Sequence, residues 1–211
     1  MVKNIFAPGL VLGSAHLPYE PAKAYAYVED PGIFENGRGP FSSKWRVYLR
    51  SVAFIHPSEG PFNPSKFVVV KKAKRNKGRI WEPPKGQMEG KDIQPGTTVM
   101  QLLEETVRRE VAEEAKITNL LNVRHTGLVF EGVEPDFPPN TYFQYHVFQA
   151  FVEEADFVAA EAAFNVDPEA WAALPADQRE KDGIGWHIKG QTGLYGRWAP
   201  TIVNMYLRAH I

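Results

Sequence analysis

The sequence predicts an α+β sandwich, an expectation that rests on three observations. Strand-like segments stand on both sides of one long amphipathic helix, a second helix closes the chain, and no repeat, low-complexity tract or second-domain linker interrupts the order. With 211 residues, 44% of them hydrophobic and 23% charged, the chain can bury a substantial core.

Residues 1–44 scatter Pro8, Pro18, Pro21, Pro31, Gly32, Gly37, Gly39 and Pro40 among short apolar pieces, which predicts an irregular extension with one strand, packed on or near the core. A single domain over residues 45–211 follows. Trp45 to Ile55 alternates as a strand does, and His56-Pro-Ser-Glu-Gly60 closes it. Phe67 to Lys72 reads as a second strand, followed by a basic turn around Asn76-Lys77-Gly78 and the loop Trp81-Glu-Pro-Pro-Lys-Gly86. Two further strands, Thr118 to Glu131 and Thr141 to Glu153, flank the turn-rich residues 132–140. Ala159 to Arg179 is alanine-rich and partly helical, broken by Asn165, Pro168 and Pro175. Trp198 to Arg208 predicts a terminal helix, with Pro200 in its first turn and Ile202, Met205 and Leu207 available to pack.

The long helix is predicted over Thr98 to Ile117, where Val99, Leu103, Val107, Val111 and Ala115 repeat every four residues. Thr97 or Thr98 can cap its first turn. Glu110, Glu113 and Glu114 are expected to point away from that stripe and to lie over one another at spacings of three and four. Three like charges near a helix C-terminus repel one another and the helix field, a cost that a hard cation relieves. The competing reading of the same residues is a solvated face, laced by Glu105 to Arg109 and Arg109 to Glu113 pairs.

The order of Gly86, the loop after it and Arg109-Glu110-Val111-Ala112-Glu113-Glu114 resembles the Nudix hydrolase family, whose signature is written G-x5-E-x7-R-E-U-x-E-E-x-G-U with U aliphatic. Gly86 resembles its opening glycine, Arg109-Glu110-Val111 its R-E-U, Glu113-Glu114 its paired acids and Ile117 its last aliphatic position. The resemblance implies an α/β/α sandwich with a mixed central sheet. It also implies magnesium, or manganese in its place, held by Glu110, Glu113, Glu114 and the Gly86 carbonyl, with Arg109 in the catalytic constellation. The implied activity is metal-assisted hydrolysis of a diphosphate linkage. Glu131 and Glu134 are candidates for an outlying general base.

This sequence departs from the pattern in three places. Gln101 stands where the first glutamate belongs, Lys116 replaces the late glycine, and the segment from Gly86 to Arg109 is longer than the signature. Glu105, one turn before Arg109, is expected to orient the arginine in place of Gln101. Lysine at 116 pays a cost for a left-handed helix exit, so a different ending is expected. These departures motivate a rival function, a non-catalytic module that binds nucleotides or diphosphates.

Lys71, Lys72, Lys74, Arg75, Lys77 and Arg79 place six positive charges in nine residues. Most read as a solvated hairpin, while Arg79 and Lys85 are the preferred contacts for substrate phosphates. Tyr142, with Phe143 and Tyr145 on the opposite face of the same strand, offers an aromatic surface for a base. A nucleotide-linked diphosphate is therefore the expected substrate, with an inositol pyrophosphate kept open by the basic hairpin. His125, His146 and His187 read as structural, without a zinc spacing. Tyr195 and Trp198 close the core or build an interface, which leaves a homodimer open.

Zero cysteines exclude disulfides and thiolate ligands, in keeping with a reducing compartment. A net charge of -1 gives no global reason to expect nucleic acid. Neither a long apolar span nor a charged n-region with an apolar h-region is present, so a cytoplasmic protein without a membrane partner is expected.

Overall fold

The computed structural model describes residues 11–12, 25–29, 44–73, 80–89, 98–137, 141–165, 167–175 and 179–209. Arg79, the turn at 76–78 and most of the extension and of the loop before the long helix lie outside them, as does the side chain of Tyr142. Nine strands are described: β1 (Val11–Leu12), β2 (Tyr25–Glu29), β3 (Lys44–Pro57), β4 (Val68–Lys72), β5 (Trp81–Glu82), β6 (Lys85–Gln87), β7 (Leu121–Gly132), β8 (Thr141–Val152) and β9 (Lys181–Trp186). The helices are α1 (Val99–Ala115), α2 (Glu154–Phe164), α3 (Pro168–Ala173) and α4 (Trp198–Arg208). The fold class is the expected one, sheet and flanking helices followed by a C-terminal helix. None of the helices among the described residues is long and apolar enough to cross a membrane.

Pairing follows the order β1-β2-β3-β8-β7, with β6 joined to β3, and a separate sheet runs β5-β4-β9. β2 lies antiparallel to β3, as β5 and β9 do to β4, and Trp81 makes a parallel bridge to Leu194. The extension contributes two described strands where one was expected. From Phe143 to Ala150 every residue of β8 is buried, polar Gln144, His146 and Gln149 included. A strand flanked by β3 and β7 and covered on both faces loses the inside-outside alternation that its sequence was read by.

The chain divides into two compact units. One takes in Met1–Ser51, Gln87–Thr106 and Val129–His146, the other Val52–Gly86, Val107–Leu128 and Val147–Ile211. In the first, Phe143 meets Phe130, Phe137 and Tyr145, and the Arg50 guanidinium lies 4.4 Å from its ring centre. In the second, Phe54 stacks on Tyr206 at 3.7 Å, with the edge of Phe67 against both. The Tyr206 hydroxyl donates to His56 Nε2 (2.6 Å) and accepts from Gln149 Nε2 (2.9 Å). His56 Nδ1 must carry the proton, because its partner at 2.8 Å, the Lys66 carbonyl, can only accept. Burial holds His56 below its ordinary pKa and pushes Tyr206 up to about 12.

α1 begins with a reciprocal cap. Gln101 Oε1 accepts from the Thr98 amide and hydroxyl, and the Gln101 amide donates back to Thr98 Oγ1. Its stripe is buried at Leu103, Val107, Val111 and Ala115. α2 starts at Glu154, earlier than expected, and ends at Phe164, with Asn165 as its C-cap. Pro168 starts α3 rather than breaking a helix, because Asp167 accepts from the amides of Glu169 and Ala170 and proline is tolerated in a first turn. α4 buries Ala199, Ile202, Val203 and Tyr206, so Ile202 packs as expected while Met205 and Leu207 sit at the rim.

Candidate active site

The acidic end of α1, strands β4, β5 and β9, and the first residues of β6 all belong to the second unit. Gly86 of β6 lies directly against Glu110: a methyl group placed on its Cα would fall 1.7 Å from the Glu110 carboxyl carbon and 2.0 Å from both oxygens. That approach requires glycine. It also joins two segments more than twenty residues apart that the sequence linked only by motif.

Arg109 spans the other carboxylates. Its Nη1 lies 3.1 Å from Glu110 Oε1 and 3.2 Å from Glu113 Oε2, so both oxygens flank one positive centre. Glu113 is 45% exposed and Glu110 13%. Glu105 is exposed on the same helix. α1 exits through a left-handed residue after all, for Lys116 has φ 59° and its ammonium donates to the Glu113 carbonyl at 2.8 Å.

Glu114 departs from the expected orientation, because it is buried. It follows Val107 by seven residues, about two helical turns, and so emerges beside the apolar stripe rather than opposite it. Both of its oxygens are engaged: Oε1 lies 2.7 Å from Lys181 Nζ, and Oε2 accepts from the Lys85 amide at 2.9 Å. Lys181 Nζ is also 2.6 Å from Glu82 Oε1, whose other oxygen is 3.0 Å from Lys85 Nζ. Two ammonium groups thus balance two carboxylates, with Lys181 and Glu82 each only 2% exposed.

Burial alone would raise the Glu82 carboxyl, but the ammonium groups of Lys85 and Lys181 outweigh it and bring the group down to about 2. Burial dominates at Glu114 and keeps its carboxyl above the ordinary range, against the pull of Lys181 and Lys85. Burial would lower Lys181, yet Glu114 and Glu82 hold it above its usual value. The ammonium is therefore the charged form.

Among the described residues no three acidic or histidine side chains converge to hold a metal ion. Glu110 and Glu113 suit a hard cation as oxygen donors that remain partly open to solvent, with one oxygen of each on Arg109. Glu114 does not, because it is buried with Lys181 on one oxygen and the Lys85 amide on the other. Lys85, expected at a phosphate, places its ammonium on Glu82. Glu131 accepts from Gln144 at 3.2 Å and is raised by burial, while Glu134 pairs with Arg50 at 3.3 Å; both lie in the first unit. The three histidines are structural. His187 stacks on Phe67 at 4.4 Å, His125 meets Phe148 edge-on, and His146 is buried.

Sequence reasoning missed Glu82 and Lys181. Glu82 stood in the quoted loop beside Trp81 without a motif position, and Lys181 lies 67 residues past Glu114, so neither carries a local signal. A separate cavity of about 410 Å³, lined by residues that include Lys66, Phe157, Glu161 and Trp186, shares none of these groups.

No protein-family model and no curated protein matches the chain. Solved structures similar to it include a NUDIX hydrolase from Nitrosomonas europaea (16% identity, 77% of this chain and 88% of that one, TM-score 0.43). A mutT/nudix family protein from Listeria innocua is similar at 18% identity, over 77% and 90%, with TM-score 0.43. So is the NUDIX domain of Shewanella oneidensis NrtR, complexed with ADP ribose, at 12% identity, over 85% and 97%, with TM-score 0.45. Similarity at this level leaves the chemistry to rest on the residues above.

Proposed function

We propose that the chain hydrolyses a diphosphate linkage with the help of a divalent cation, in a nucleotide-linked substrate. The observation that carries the reading is the contact of Gly86 with the Glu110 carboxylate, which brings the glycine strand of the motif against its acidic helix. Glu110, Glu113 and the Gly86 carbonyl are the proposed protein ligands of magnesium or manganese. When bound, the cation neutralises the diphosphate and acidifies the attacking water.

The other residues act around that centre. Arg109, paired with both Glu110 and Glu113, holds the two carboxylates at a fixed separation. Glu114 fixes the glycine strand by accepting the Lys85 amide, and so positions Gly86 one residue on. The Lys85 ammonium, 20% exposed on its Glu82 partner, is the point charge proposed to turn toward a substrate phosphate, with Arg79 as a further contact.

Incubation with nucleoside diphosphate derivatives, dinucleoside polyphosphates, sugar-linked diphosphates and inositol pyrophosphates, each with magnesium and with chelator, tests the proposal. Magnesium-dependent release of nucleotide is the expected result. Absence of product from all four classes would overturn it, and activity on inositol pyrophosphates alone would change the substrate.

A second reading, a non-catalytic diphosphate-binding module, is favoured by the Lys181 ammonium between Glu82 and Glu114, which neutralises an acid of the motif without metal. It predicts ligand-induced stabilisation, about 2.7 kcal/mol at a hundredfold excess over Kd, with no product.

A further inference from the structure

We infer that Lys181 is a resident cation: its ammonium takes, between Glu82 and Glu114, the position that a divalent ion would need beside the last acid of the motif, and closes Glu114 to metal. The sheet builds this arrangement. Glu82 on β5 pairs opposite Val70 of β4, and Lys181 on β9 pairs opposite Lys72 of the same strand. A register shift between Lys71 and Lys72 passes over Asp182 and sets Lys181 opposite Lys72, and the ammonium and the Glu82 carboxylate meet at 2.6 Å. α1 brings Glu114 as the third member.

Every oxygen of the two carboxylates already holds an ammonium or an amide. Glu114 Oε1 is 2.7 Å from Lys181 Nζ and Oε2 is 2.9 Å from the Lys85 amide, while Glu82 meets Lys181 at 2.6 Å and Lys85 at 3.0 Å. All four carboxylate oxygens are used, and two positive charges already cancel two negative ones. A magnesium ion demands near-octahedral oxygen ligation at about 2.0–2.1 Å and gives up its waters reluctantly. To reach Glu114 it would have to displace an ammonium that is 2% exposed and leave that buried charge with Glu82 as its one carboxylate partner of the two. The lysine thus holds the helix end, β5 and β9 together with no metal required, and confines an added cation to Glu110 and Glu113. The inference concerns cation binding alone, so a chain that hydrolyses nothing leaves it untouched.

Manganese titration followed by electron paramagnetic resonance tests it on the full chain, as wild type, Glu114→Gln, Lys181→Met and the Lys181→Met/Glu114→Gln double variant. Glu114→Gln is expected to keep the wild-type stoichiometry, because the glutamine oxygen still accepts the Lys85 amide that positions Gly86. Lys181→Met is expected to gain one manganese equivalent that the wild type lacks, and the double variant to lose it again. Loss of a manganese equivalent in Glu114→Gln would overturn the inference, as would a folded Lys181→Met chain without the gain. Should Lys181→Met fold only with manganese, a melting temperature that rises with manganese supports the inference. If it folds under no condition, the Glu114→Gln stoichiometry decides: unchanged supports, reduced overturns.

Discussion

Replacing Gly86 with alanine tests the contact at the centre of the site, and its cost can be worked from the structure. The added methyl would lie 1.7 Å from the Glu110 carboxyl carbon, so one of the two must move. Glu110 can swing, because the clash is with the end of a flexible side chain, and the overpacking cost then falls near the low end of the range, about 1 kcal/mol. The displaced carboxylate also leaves Arg109, a partly exposed pair worth about 0–1 kcal/mol. Alanine in place of glycine restricts the unfolded chain and returns about 0.4–1 kcal/mol. Gly86→Ala alone should therefore destabilise by about 0–1.6 kcal/mol. In a Glu110→Ala background the clash vanishes and the same change should be neutral or stabilising. Urea denaturation of the four chains gives the coupling directly, expected at about 1–2 kcal/mol. Additive single changes, with no coupling, would refute the geometry on which the site is built.

Lys116→Gly should stabilise the chain by about 1 kcal/mol, since glycine escapes the left-handed strain of a φ of 59°, which outweighs the exposed bond to the Glu113 carbonyl; an unchanged urea midpoint would count against that account. Thr98→Ala should cost about 1 kcal/mol by removing half of the reciprocal cap, and Gln101→Ala a smaller amount without lowering metal affinity, which denaturation and manganese titration would check. Stability should also fall with acid. His56 sits below its ordinary value of 6.5, so the unfolded chain binds the extra proton first; the stabilisation is complete above about pH 6.5 and is lost as pH falls through the folded value. Melting curves from pH 8 to 5 should show that slope, reduced in His56→Gln, and equal slopes in the two chains would refute it.

The parts of the fold legible in the sequence are those with strong local periodicity. The four-residue stripe of α1 and the alternation of β3 place those elements within a residue or two of their observed ends. β9 escaped because Lys181-Asp-Gly-Ile-Gly-Trp186 carries two glycines and little β-branched character, and its place is decided by pairing with β4. The Gly86 to Glu110 contact followed from the motif. The burial of Glu114 did not, because the reading counted the spacing among the acids and not the seven residues back to Val107. Glu82 and Lys181 meet Glu114 only through the β5-β4-β9 sheet, and pairings of such sequence separation leave no pattern in any one segment.

The most direct test of the proposed activity is the rate of nucleotide release from a diphosphate-linked nucleotide in magnesium, compared among wild type, Glu110→Gln and Glu113→Gln. Each substitution removes one proposed charged oxygen ligand from a partly open pair, so turnover should fall by about 100-fold or more while melting temperatures change little. Equal turnover in all three chains at limiting magnesium would contradict the account.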